Sequence, residues 1–159
     1  DVGVCIVNSC TVTEEADRES RREVRRLRRK YPKAKIVFTG CGAEVDPQAA
    51  GADHVVGNSS KQTLVDRVLG PESGLVSGEI WPLPVKHAVD PMYAGKTRAF
   101  LKVQEGCERF CTYCIIPYGR GPNRSLTVEE IIDLLQKTAA QGTPEAVLTG
   151  TNLGNLGPE

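Results

Sequence analysis

No stretch of this sequence approaches the roughly 18–20 consecutive apolar residues that cross a bilayer, and no signal-peptide pattern opens the chain. A membrane-spanning helix is therefore excluded, and a cytoplasmic protein is expected. Net charge is lacking as well: 20 Lys and Arg balance 20 Asp and Glu, so the chain as a whole is not a polycation. Histidine is scarce, with only 2 residues, His54 and His87, both far in sequence from the closest group of cysteines. Internal repeats and low-complexity tracts are absent. What remains, 40% apolar and 25% charged residues over 159 positions, is the composition of an ordinary globular protein. That length suffices for one domain, or for one small domain and part of another.

The chain begins without Met, on "DVGVCIVNSC", which already reads as a core strand. It stops just after another strand, in "VLTGTNLGNLGPE". Both ends lead us to expect a piece of a longer chain, prone to aggregate through bare strand edges.

β-Branched residues predict a buried strand over about Val2–Val7. A helix follows, capped by Thr13, with Glu14 and Glu15 at its positive end and basic residues before Pro32. Ala16, Ser20, Val24, Leu27 and Tyr31 form its stripe. "AKIVFTGCG" reads as a second strand, and "DHVVG" as a third. "SSKQTLVDRVLGP" reads as a helix opened by a Ser59–Gln62 capping box and closed at Gly70. This rhythm is that of a parallel α/β sheet, with Cys10 and Cys41 just beyond the carboxyl ends of successive strands, where such sheets bind ligands. From 71 to 98 the pattern dissolves into a Pro- and Gly-rich linker that Trp81 could anchor. "RAFLKVQEGC" is then a strand delivering Cys107. Thr127 and Glu130 form a capping box for a helix ending at Gly142, whose buried face is read as Val128, Ile131, Ile132, Leu135 and Ala139. "EAVLTG" is the next strand. The division is thus a domain at 1–70, a linker at 71–98 and a second domain at 99–159.

Three of the 6 cysteines, Cys107, Cys111 and Cys114, fall in one short loop. Clustered thiols in a reducing compartment bind metal or do redox chemistry more often than they form disulfides. A structural zinc site normally has four protein ligands, and no fourth Cys or His follows nearby; His54 and His87 lie in a turn-like and a linker context. Three thiolates on a four-iron cubane leave one iron open for a substrate or cofactor. A zinc knuckle remains the alternative. Cys5 lies within the first strand and reads as a small buried hydrophobe.

"GCERFCTYC", with Tyr113 at the aromatic position, resembles the cluster loop of radical S-adenosylmethionine enzymes. More widely, "VNSCTVTEEADRESRREVRRLRRKYPKAKIVFTGCGAEVDP", "VQEGCERFCTYCIIPYGRGPNRS" and "AVLTGTNLGNLG" are similar to the methylthiotransferases of that superfamily. The resemblance covers nearly the whole chain except parts of the linker. It implies an incomplete, Rossmann-like parallel-sheet amino-terminal domain followed by the first strands and helix of a partial TIM barrel. It implies two [4Fe–4S] clusters: one on Cys107, Cys111 and Cys114 that binds S-adenosylmethionine, and an auxiliary one to which Cys10 and Cys41 contribute. The auxiliary cluster's first family cysteine would lie upstream of Asp1, and the resemblance implies that this piece is inactive without it, the later barrel strands and the family's RNA-binding domain. Tyr113 would pack near the cofactor's adenine. "RGPNRS" is most similar to the branch that modifies threonylcarbamoyladenosine in tRNA. The alternatives are a ribosomal-protein methylthiotransferase and a non-catalytic, zinc-stabilised RNA-binding module.

The implied reaction reduces S-adenosylmethionine to a 5′-deoxyadenosyl radical, abstracts hydrogen from an adenine carbon and installs a methylthio group. Its partners would be tRNA and an electron donor such as flavodoxin or ferredoxin. Arg120 and Arg124 would contact phosphate or carboxylate groups at the active-site mouth, or else be solvated loop residues. The helix at 18–30 carries eight basic residues. That run reads equally as an RNA-backbone contact and as a solvated face.

Overall fold

The computed structural model describes residues 2–70, 74–76 and 96–157, the strand at 74–76 by its backbone alone. Trp81, His87 and most of the linker lie outside the described residues. Two compact units emerge: Asp1–Pro82 with Arg109–Gly121, and Leu83–Glu108 with Pro122–Glu159. The chain thus changes unit inside the cysteine loop, after Glu108, which a linear division at 70 and 98 does not contain.

In the first unit, strand β1 (Val4–Ser9) leads into helix α1 (Glu14–Lys30), which returns to β2 (Lys35–Gly40). The expected cap is present: Thr13 Oγ1 accepts from the Ala16 N–H at 3.1 Å. A short helix α2 (Cys41–Val45) and a 3-10 turn (Pro47–Ala50) precede β3 (His54–Gly57). Helix α3 (Leu64–Leu69) and β4 (Gly74–Val76) complete a four-stranded, all-parallel sheet in the order β1-β2-β3-β4. Val24, Leu27 and Tyr31 of α1 pack on Cys5, Val7, Ile36, Phe38 and Val55, which share one sheet face by register. Cys5 is therefore a core residue.

Four expectations require correction here. β1 is an edge strand with one open face, where Ile6 is 53% exposed, because only α1 covers it. His54 is buried within β3 rather than turn-like, since that strand is covered on both faces. No α-helix starts at Ser59: a 3-10 segment spans Asn58–Thr63, α3 begins at Leu64, and Ser59 Oγ donates to the Glu44 carboxylate at 3.1 Å. Within the stretch read as linker, Gly74–Val76 form β4, pairing with β3.

The basic run on α1 is largely matched by carboxylates. Arg18 pairs with Glu14, Arg21 with Asp17 at 2.8 Å, Arg22 with Glu15 at 3.2 Å and Arg26 with Glu23 at 2.7 Å. Arg28 binds Asp53 at 2.7 Å, tying the helix end to the start of β3. The Arg28 hydrogen bond, assisted by the Ile36 backbone N–H and opposed by burial, holds the Asp53 carboxyl below its ordinary value. A depressed carboxyl stabilises the fold above its unfolded pKa of about 4 and loses that contribution as pH falls through the folded value. Asp53→Asn is expected to cost at most about 1 kcal/mol at pH 7, because solvent screens a pair this exposed. Urea midpoints at pH 7 and pH 3 check this: the difference from wild type should shrink at pH 3, and an equal difference at both would refute the ion-pair account.

In the second unit, β5 (Arg98–Lys102) is followed by β6 (Gln104–Glu105), and β7 (Arg124–Ser125) pairs antiparallel with β6. Helix α5 (Val128–Ala140) then crosses to β8 (Glu145–Thr149), which lies parallel to β5. This is the expected strand–helix–strand crossover, and both halves of the Thr127–Glu130 capping box form. The core is Ala99, Leu101, Val103, Ile131 and Leu134, flanked by Leu126, Leu135 and Ala146. The buried face of α5 is accordingly Ile131, Leu134 and Thr138. Val128, Ile132 and Ala139, read as buried, are exposed, the first two by 66% and 49%, because the strand pair is narrow and covers only one flank of the helix.

Candidate metal centre

Parallel pairing sets the first group of thiols. Ser9 and Gly40 are the last paired residues of β1 and β2, so Cys10 and Cys41 each leave the sheet one position later, at the carboxyl edge of neighbouring strands. Cys10 is exposed, and Cys41 is buried at the start of α2. Gly40 makes the sharp exit possible: its φ is +97°, and a β-carbon there would stand 2.4 Å from the Ser9 carbonyl oxygen.

Ser9 holds this turn. Its hydroxyl donates to Thr39 O at 2.6 Å and accepts from the N–H groups of Gly42 at 2.9 Å and Ala43 at 3.3 Å. A side chain from β1 thereby satisfies two of the orphan donors at the start of α2, which lacks a side-chain cap of its own. Sequence inspection missed Ser9, since its partners lie 30 or more positions away.

The same unit contains the second half of the other cysteine loop. Phe110 has φ 44°, a left-handed conformation unusual for an aromatic residue, and it delivers Cys111. The Cys114 N–H donates to Cys111 O at 2.9 Å, closing a turn around the 90%-exposed Tyr113. Helix α4 (Ile116–Arg120) follows and packs on α2. Phe110 and Tyr118 brace it edge to face, 5.8 Å between ring centres. A β-carbon on Gly119 would lie 3.2 Å from Cys41 Cβ and 3.6 Å from its Sγ. Arg120 lies in the last turn of α4.

In the second unit, Cys107 follows Gly106, which has φ 79°, and its loop is braced from below by Gln104. Gln104 is fully buried, donating to Gly106 O at 2.8 Å and Asn123 Oδ1 at 2.6 Å and accepting from the Asn152 N–H at 2.7 Å. Asn152 Nδ2 lies 4.0 Å from Cys107 Sγ. Gly150 fits only as glycine, because a β-carbon would meet Gln104 Oε1 at 2.7 Å. Arg124, one of the two loop arginines, is mostly buried and faces Glu105 at 3.6 Å across the antiparallel β6–β7 pair.

All six cysteines are free thiols. Among the described residues, no group of three or more His, Cys, Asp or Glu is gathered closely enough to hold a metal ion. No helix among them is long and apolar enough to cross a membrane. As a donor set, Cys107, Cys111 and Cys114 are exposed or half-buried and thiolate-only, which suits iron–sulfur ligation.

Residues 1–58 match the Uncharacterized protein family UPF0004, and residues 101–154 match the Radical SAM superfamily. The chain is 42% identical to the threonylcarbamoyladenosine tRNA methylthiotransferase of Aquifex aeolicus, over 97% of this chain and 40% of the relative. It is 38% identical to the Bacillus subtilis protein of the same name, over 98% of this chain and 37% of that one. A tRNA-2-methylthio-N(6)-dimethylallyladenosine synthase of Anaplasma marginale is 34% identical over 96% of this chain and 36% of its own length. The chain thus spans well under half the length of these relatives.

Proposed function

We propose that this chain, which is similar over nearly its whole length to tRNA methylthiotransferases and carries a Radical SAM match, forms part of a radical S-adenosylmethionine enzyme placing a methylthio group on threonylcarbamoyladenosine in tRNA. One observation carries the reading. Cys10 and Cys41 leave adjacent parallel strands at one edge, and the helix that follows Cys114 packs on the Cys41 turn. A reaction that joins radical formation to sulfur transfer needs its two thiol groups on one scaffold. The names of the Aquifex and Bacillus relatives support the choice of nucleoside.

Cys107, Cys111 and Cys114 would hold one [4Fe–4S] cluster, and Cys10 and Cys41 would give thiolates to a second. When bound, the first supplies the electron that splits S-adenosylmethionine into methionine and a 5′-deoxyadenosyl radical. The chain's own residues position the thiols. Gln104 fixes the approach to Cys107, Ser9 fixes the Cys41 turn, and the Cys111–Cys114 turn leaves Tyr113 exposed, where it would pack near the cofactor's adenine. Arg124 faces Glu105 across the β6–β7 pair, and Arg120, in the last turn of α4, would contact substrate phosphate or carboxylate groups. tRNA and a flavodoxin- or ferredoxin-type electron donor are the partners of this reading, and the cytoplasm its site.

The test uses the full-length enzyme, reconstituted anaerobically and incubated with reductant, S-adenosylmethionine and unmethylthiolated tRNA. Nucleoside mass spectrometry should show a methylthio group added to threonylcarbamoyladenosine. Addition to dimethylallyladenosine, or to a ribosomal protein, would replace the substrate. Stoichiometric zinc without sulfide would overturn the enzyme reading altogether.

A further inference from the structure

Asn58, the first residue past β3, carries no role in any expectation drawn from the sequence. Its side-chain amide donates to the carbonyl oxygen of Gly119 at 2.6 Å, and the same nitrogen lies 3.4 Å from Cys41 Sγ. Both partners are acceptors, so the NH2 end of the amide must face them. Its two protons can serve both at once. Cys41 and Gly119 are buried, and Asn58 is half-buried, so neither bond competes freely with water. Asp in the same shape would have no proton to offer at neutral pH and would set a carboxylate against a carbonyl and a thiol.

The bond to Gly119 joins segments 61 residues apart, the β3 edge and the short helix α4 that follows Cys114, while the contact with Cys41 spans 17. Gly119 approaches Cys41 so closely that an added β-carbon would stand 3.6 Å from the sulfur. An N–H donated to a cysteinyl sulfur draws electron density from it, which favours the reduced state of any cluster that sulfur ligates.

We propose that Asn58 is a positioning residue for the auxiliary cluster: its amide raises the reduction potential at Cys41 and pins helix α4 against that ligand. The inference rests on the assignment of Cys41 as a cluster ligand. Ser59, the next residue, has a separate task, its N–H and hydroxyl both binding Glu44, so the Asn58 substitutions leave that anchor in place.

The experiment compares full-length, anaerobically reconstituted wild-type enzyme with Asn58→Asp and Asn58→Ala. Iron and sulfide are counted first: a wild type without a cluster dependent on Cys41 overturns the ligand assignment, and this inference with it. With two clusters present, EPR-monitored redox titration should show a lower midpoint potential for the Cys41-dependent cluster in Asn58→Ala, and lower still in Asn58→Asp. The midpoint of the other cluster should not move. Hydrogen exchange of residues 115–121 should quicken in both variants, which a bond without mechanical effect would not cause. Unchanged potential in both variants, or equal shifts in both clusters, would overturn the electronic role. Unchanged exchange at 115–121 would overturn the tether. If Asn58→Ala fails to fold, the isosteric Asn58→Asp carries the decision.

Discussion

Replacing Cys111 with alanine is expected to remove one entire [4Fe–4S] cluster from the reconstituted enzyme while leaving the fold intact. Cys111 is exposed, on a turn whose backbone bond runs from Cys114 N–H to Cys111 O and does not involve the thiol. Truncating an exposed side chain away from the core changes stability by no more than about 0.5 kcal/mol. Loss of one thiolate from a three-thiolate set leaves a second iron without a protein ligand, and such a site does not retain its cubane. The brown absorbance, the iron and the sulfide of that cluster should therefore all disappear together, with circular dichroism unchanged. S-adenosylmethionine cleavage should fall to background. Retention of a full complement of iron and sulfide by the variant would show that Cys111 is not a ligand.

The second large effect is expected at Gly40, far from that loop. Its φ of +97° with ψ of −163° lies in a region open essentially to glycine alone. An added β-carbon would also stand 2.4 Å from Ser9 O and 2.9 Å from Ser9 N, both of them backbone atoms of the neighbouring strand. The clash can be relieved only by prying the carboxyl edge of β1 away from β2. That movement would break the Ser9 hydroxyl bonds that hold the Cys41 turn. Strain of about 1–3 kcal/mol adds to overpacking of similar size, so Gly40→Ala should cost about 3 kcal/mol or more. Gly51→Ala is the control: its φ is +62°, but nothing lies within 4 Å of the added carbon. It should cost about 1 kcal/mol, from backbone conformation alone. Urea unfolding of both variants decides the matter, and equal losses would mean that the close approach at Gly40 contributes nothing.

Local signals in the sequence were sufficient where no distant group competes for the same residue; Ser59, three positions before Gln62, is instead taken by Glu44, 15 positions away. Thr13 and Ala16, Thr127 and Glu130, and Gly142 after α5 act over one helical turn, and each takes the predicted place. Strand alternation and β-branched runs likewise locate β1, β2, β3, β5 and β8 to within a few residues. The positions of Cys10 and Cys41 at the sheet edge follow from that, because a parallel sheet puts all its carboxyl ends on one side. Val128 and Ile132 show the limit. Helical periodicity gives the direction of an apolar stripe but not its width under cover, which the β5–β8 pair sets.

The sequence alone determined the chemistry available to this protein: three thiols in one loop, two more at a strand edge, and the caps and strands that carry them. Tertiary structure alone decided which polar groups serve those thiols. Ser9 reaches the Cys41 turn from another strand, Gln104 holds the Cys107 loop through Asn123 and Asn152, and Asn58 binds both Cys41 and Gly119. Each is a small polar residue with no local pattern around it. Its role comes from a hydrogen bond closed across 17 to 61 positions of chain, and such a bond exists only once the segments have been brought together.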